Sequence, residues 1–103
     1  MKHKDDVGDI LSNVIGDEDL VHFQPSESIK LTFPCILFKF EGFKDLFAND
    51  GRHMLREKYS VTHVYQNPEA DLKEEVLSAF LFASFDRQYI ADNLYHDVYT
   101  IYY

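Results

Sequence analysis

Five histidines and one cysteine are the residues of this sequence best suited to metal or nucleophilic chemistry. A helical zinc site needs histidines at i, i+3 or i, i+4, where they share a face. His3, His22, His53, His63 and His96 are dispersed, and no pair has that spacing. His63 lies on the aromatic face of an alternating stretch and reads as a core or interface histidine with a hydrogen-bond partner. His96 and Asp97 are sequence neighbours in another such stretch, so they point to opposite faces and form no dyad. Cys35 opens the apolar run Cys35-Ile36-Leu37-Phe38. A strand interior of that kind raises a thiol's pKa and hides it, so a buried, inert thiol is expected. A lone cysteine also forms no internal disulfide.

Asp17 and Asp19 alternate as Ca²⁺ ligands do, but the glycine precedes them and no glutamate follows at the distance of a bidentate ligand. They read as a solvated link. A nucleophile elbow, a Walker loop and a His-Glu-x-x-His pair are all missing. The expectation is a protein with no catalytic residues, no metal site and no cofactor.

Charge narrows the partners. The formal net charge is −8, and the ten basic residues form no run. Binding to DNA, RNA or an anionic membrane calls for clustered cations and is disfavoured. The acidic excess serves solubility, or repels a polyanion that passes nearby. With 46% apolar and 16% aromatic residues the chain is rich enough to fold. Its 103 residues suffice for one core, hence a single domain over 1–103. No signal-like apolar segment follows Met1-Lys2-His3, and no apolar run nears the roughly 20 residues that span a bilayer. Synthesis in a reducing cytoplasm is expected.

The elements follow from periodicity. Val7, Ile10, Leu11, Val14 and Ile15 predict a helix over Asp5 to Ile15, stopped by Gly16. Leu20 to Gln24 reads as a short strand, Ile29 to Phe33 as a possible extended segment, and Cys35 to Phe40 as a buried strand. Glu41 to Arg56 reads as a long connection around the turn signal Asn49-Asp50-Gly51. It carries Phe43, Leu46, Phe47, Met54 and Leu55, unusually apolar for a loop. Lys58 to Gln66 alternates as a strand. Asn67-Pro68-Glu69 predicts a helix start, with Leu72, Val76, Leu77 and Phe80 buried to about Phe80 and Lys73 pointing out. Strands over Phe82–Ile90 and Leu94–Tyr102 meet at Asp92-Asn93. The order α-β-β-β-α-β-β predicts an α+β domain: one mostly antiparallel sheet of four or five strands, with two helices on one face.

The carboxyl-terminal strand has tyrosines on both faces. One face carries Leu94, His96, Val98, Thr100 and Tyr102; the other carries Tyr95, Asp97, Tyr99, Ile101 and Tyr103. A sheet in a small monomer has one face against helices and one toward water. Aromatics on both faces therefore imply cover from another chain. Candidate interface residues are Phe43, Phe47, Met54, Phe85, Arg87, Tyr95, Tyr99, Tyr102 and Tyr103. Arg87 can stack on an aromatic or pair with a carboxylate, within the chain or across subunits.

The segments PSESIKLTFPCILFKF, KYSVTHVYQNPEADL and above all SFDRQYIADNLYHDVYTIYY resemble small proteins of the head–tail morphogenesis modules of long-tailed bacteriophages, of the tail-completion, tail-terminator or minor-capsid kind. The likeness spans Val21 to Tyr103, and Phe43 to Arg56 is longer and more apolar than expected of that group. The resemblance implies an α/β subunit that forms a ring with copies of itself, commonly six. The ring would cap the tail tube protein, dock on a head-completion or neck protein, and let DNA pass without specific binding. It implies residence in the virion after assembly in the host cytoplasm. Two other readings stand beside it: a head-closure, neck or minor capsid protein of the same particle, and a small non-viral α+β enzyme or regulator. The last would be marked by a cleft with convergent titratable groups.

Overall fold

The computed structural model describes residues 1–47 and 53–103; the side chains of Leu46, Phe47, His53 and Met54 lie outside the described residues. Helix α1 spans Lys4–Ile15. Val7 and Leu11 are fully buried, with Ile10, Val14 and Ile15 packed beside them. Gly16 ends the helix at φ 88°, a conformation that glycine adopts without a Cβ penalty, and its N–H donates to the Ser12 carbonyl at 2.8 Å.

After a short 3-10 turn capped by Asp17 come β1, Val21–Phe23, β2, Cys35–Phe47, and β3, His53–Tyr65. Helix α2, Lys73–Ala79, leads to β4, Phe82–Ala91, and β5, Leu94–Tyr102. One sheet results, in the order β1-β2-β3-β5-β4. β1 pairs parallel with β2, and every other pairing is antiparallel. The α+β class and the order of elements are those expected from the sequence. Asp92 and Asn93 close the last hairpin with φ of 53° and 62°, the paired positive values of a tight primed turn.

Both helices lie on one sheet face. Val7 and Leu11 of α1 and Val76 of α2 meet Ile36, Tyr59, Val61, Tyr99 and Ile101 of the sheet, with Phe80 just past α2. Alternation sends Lys39, Ser60 and Thr100 to the opposite, open face. One end of that open face is covered by Leu31, which packs with Leu37 against buried Cys35, Val64 and Leu94. Burial pushes the Cys35 thiol up to about 11, so it remains a protonated thiol.

Four expectations need correction. Glu41 to Arg56 is mostly not loop: β2 and β3 run on as a hairpin, through a bulge where the register passes from Phe40↔Tyr59 to Gly42↔Lys58. Gly42 takes φ 123° there, which a side chain would strain. The turn signal Asn49-Asp50-Gly51 lies outside the described residues. Ile29 to Phe33 is no strand; the ladder begins at Cys35, after Pro34. The second helix is shorter than expected. Asn67 caps a separate 3-10 turn, Pro68–Ala70, accepting from the Glu69 N–H at 3.0 Å. Asp71 accepts from the Lys73 N–H at 3.2 Å where α2 begins. Leu77 is exposed, because the buried line runs through Leu72, Val76 and Phe80 and Leu77 sits one residue round from it.

The fourth correction concerns the carboxyl-terminal ribbon. β5 is an interior strand between β3 and β4. Tyr99 is 0% exposed in the core of its own chain, so it presents no surface to another. Tyr95, Tyr102 and Tyr103 are half-buried.

Candidate interaction surface

The edge of the sheet is positioned by a polar knot that sequence reasoning missed. Asp97 lies on the helix-side face of β5 and is fully buried. Its carboxylate accepts from the Tyr65 hydroxyl at 2.7 Å and the Gln88 amide at 2.8 Å, and meets the Lys73 ammonium at 3.1 Å. β3, β4 and α2 are thereby tied to one carboxylate. Lys73, expected to point out, turns inward to this partner. Burial alone would push its pKa down, but Asp97 outweighs burial and raises it. The sequence signal was an aspartate between Tyr95 and Tyr99 on an apolar face, where a buried carboxylate requires a cation and donors.

His63 sits opposite Asp97 in the β3–β5 ladder and stacks on Tyr65 at 4.5 Å. Its Nδ1 is buried with no hydrogen-bond partner among the described residues. Burial pushes the imidazole down to about 4, despite the nearby Asp97 and Asp71 carboxylates.

On the same sheet face, Glu57 is buried where β3 passes the start of α1. Its carboxylate accepts from the backbone N–H groups of Lys2 and His3 and from the Tyr59 hydroxyl at 2.5 Å. Burial pushes Glu57 up, but these donors outweigh it and hold the group at about 2.

Two pH windows follow from these groups. The unfolded chain protonates His63 near 6.5, whereas the folded chain resists protonation down to about 4. His63 therefore costs stability as pH falls from 6.5 to 4. Glu57 is protonated near 4.5 when unfolded and near 2 when folded, so its contribution is lost as pH falls through that lower window. Urea midpoints measured against pH are expected to flatten in the upper window for His63→Phe and in the lower window for Glu57→Gln.

Around this frame the exposed apolar residues concentrate on β4, the edge strand. Phe82, Phe85 and Tyr89 are exposed, Ile90 is 67% exposed, and Leu81 just before the strand is 83% exposed. Phe85, an expected interface residue, lies edge-on to Tyr99 at 5.5 Å, has the Lys73 ammonium 5.5 Å over its ring and is still partly exposed. The Arg87 guanidinium lies 5.8 Å over Tyr89, the expected stacking, here within one chain. The outer side of β4 has no neighbouring strand among the described residues.

The second exposed feature is the far half of the β2–β3 hairpin. β5 accompanies β3 from Lys58 onward, and Tyr103 exchanges backbone hydrogen bonds with Glu57, so among the described residues the strands pair only with each other from Lys44↔Arg56 to Phe47↔His53. Phe43 and Leu55 on this arm are 57% and 59% exposed. Phe47 pairs with His53 and Met54 with Leu46 on the arm, but their side chains lie outside the described residues. The Cα radius of gyration is 14.5 Å, against about 13 Å for a compact chain of this length. A two-stranded ribbon is only marginally stable in water without a third strand or a packing partner.

On the open face, Lys44 lies 4.8 Å over the Tyr102 ring and Arg56 lies 4.6 Å over the Phe82 ring. A groove of about 610 Å³ is lined in part by Gln24, Leu37, Lys39, Glu41, Ser60 and Thr62. Among the described residues no group of three or more His, Cys, Asp or Glu is gathered to hold a metal ion. No described helix is long and apolar enough to cross a membrane. The sequence matches no protein-family model and no curated protein.

Proposed function

We propose that this chain is a structural subunit of the head–tail junction of a long-tailed bacteriophage, of the tail-terminator kind. In this reading it assembles with copies of itself into a ring, seats on the last ring of tail tube protein, and presents its other side to a neck protein. Its place is the virion, and DNA passes through the ring without being read.

The observation that carries the reading is the pair of unpartnered features on one small domain: the two-stranded arm and the exposed edge strand β4. Together they leave Phe43, Leu55, Leu81, Phe82 and Ile90 in water. Such surface is costly for a lone subunit and useful to one that is covered on assembly. Two dissimilar patches on one subunit suit a heterologous contact, which closes into a ring when the rotation permits. The resemblance of the carboxyl-terminal block to tail-terminator proteins points the same way.

The test is to remove the chain from a phage that encodes it and image the particles. Tails of uncontrolled length, or finished heads and tails that fail to join, are the expected result. Tails of normal length on heads that leak DNA would assign the chain to head closure instead.

A further inference from the structure

The cations that are scattered along the sequence are gathered by the fold. Lys39, Lys44, Arg56, Lys58 and Arg87 lie on the open face of the sheet, as the alternation of β2, β3 and β4 requires. Among the described strand residues the carboxylates on that face are Glu41 and Asp86. Glu41 lies 3.4 Å from Lys39, and Asp86 accepts from the Ser84 and Thr100 hydroxyls. Among the described strand residues this face thus gathers five cations against two carboxylates, in a protein of net charge −8.

The face also contains an unfavourable contact. Lys44 and Arg56 are direct cross-strand partners, and like charges in that position repel. Arg56 Nε is buried with no hydrogen-bond partner among the described residues. Exposed Phe82 and Tyr89 and half-buried Tyr102 lie among the cations.

The complementary surface is on the other side of the same chain. α2 and the turn before it expose Glu69, Asp71, Glu74 and Glu75, beside the exposed apolar side chains of Leu77 and Leu81. Here acid surrounds an apolar centre; on the open face, base surrounds an aromatic one. The two patches occupy opposite layers of the domain, so one subunit cannot bring them together.

We infer that the basic open sheet face of one copy receives the acidic α2 face of a second copy, in a head-to-tail contact. Carboxylates from the second copy relieve the Lys44–Arg56 repulsion, and Leu77 and Leu81 cover the Phe82–Tyr89 aromatics. The inference rests on the reading of the chain as a self-assembling subunit and adds which two surfaces meet. A contact between unlike charges also makes assembly weaken with salt.

Sedimentation velocity of the purified chain, at low and at physiological salt, tests it. Lys39→Glu/Lys44→Glu and Glu74→Lys/Glu75→Lys change exposed side chains, and thermal melts verify that each variant folds. Glu74→Gln/Glu75→Gln, a milder change, is measured alongside. Each reversed variant alone is expected to associate about tenfold more weakly or worse. An equal mixture of the two reversed variants is expected to regain association, and the Gln pair to lie between the reversed variant and wild type. Wild-type association that both reversals leave unchanged would overturn the inference while leaving self-assembly standing. A 12.1 kDa monomer under all conditions would overturn the inference, and a chain that also stays monomeric beside tail tube protein would overturn the reading it rests on. Binding of double-stranded DNA at physiological salt that Lys39→Glu/Lys44→Glu abolishes, with no association between copies, would assign the face to a polyanion and overturn the inference.

Discussion

Asp97→Ala is expected to lower the free energy of unfolding by about 3–5 kcal/mol, a large share of the roughly 5–15 kcal/mol that keeps a small domain folded. The reason is what the truncation strands. Tyr65, Gln88 and Lys73 all donate to this carboxylate, which is fully buried. Removing it leaves three donors aimed at a vacancy, one of them an ammonium. Lys73 is one-third exposed and can swing to water, which limits its share of the loss. The mirror change, Lys73→Met, leaves a buried carboxylate with two neutral donors and is expected to cost less than Asp97→Ala. Replacing both partners, Lys73→Met with Asp97→Leu, is expected to cost less than the two single effects added together, because each single change leaves its partner uncompensated. Urea unfolding of the four proteins measures this directly. A loss below about 1 kcal/mol for Asp97→Ala would mean that the knot does not hold the edge of the sheet.

Tyr99 carries the second large effect, and the two halves of its side chain are expected to act in opposite directions. The ring packs in the core with Val61, Val76 and Ile101 and edge-on to Phe85. Tyr99→Ala removes it and is expected to cost about 3–5 kcal/mol by transfer loss and cavity formation. The hydroxyl is buried and has no hydrogen-bond partner among the described residues. Burial, with Asp97 and Tyr65 nearby, raises its pKa, so it stays protonated and unionised. Tyr99→Phe therefore removes an unsatisfied polar group and is expected to be neutral or to add up to about 1 kcal/mol. Thermal melts of the two variants separate the contributions. A clear destabilisation by Tyr99→Phe would reveal a partner for the hydroxyl.

The architecture was legible where periodicity and turn chemistry agreed. The apolar spacing of Val7 to Ile15, the stop at Gly16 and the Asp92-Asn93 turn each specified one local structure, and the fold uses all of them. The arm was misread because its strands are interrupted. A bulge at Gly42 breaks the alternation of β2, so Phe43 looks like a loop residue until its pairing is known, and Leu55 on β3 shares that look because it is exposed opposite Asp45. β5 was misread because alternation alone does not say what covers each face of a strand. Aromatics on both faces of β5 reflect β3 and β4 on either side, the helices above it and Leu31's packing near one end below. The exposed surface moved one strand over, to β4, although Phe85 and Arg87 had been singled out there. The charge pattern was hidden most completely. Lys39, Lys44, Arg56, Lys58 and Arg87 form no run in sequence, and only strand register places them on one face. The Asp97 knot was partly readable, since a carboxylate on an apolar strand face demands a partner, but Lys73 and Gln88 could not be named without the topology.

In the proposed function this domain is one part of a larger ring, with an arm and an edge strand that other copies cover. Electron microscopy of the purified protein, alone and mixed with tail tube protein, puts that to the most direct test. Rings of uniform diameter, in isolation or seated on tube ends, are the expected images. Tubes that lengthen unchecked beside a chain that remains monomeric would contradict it.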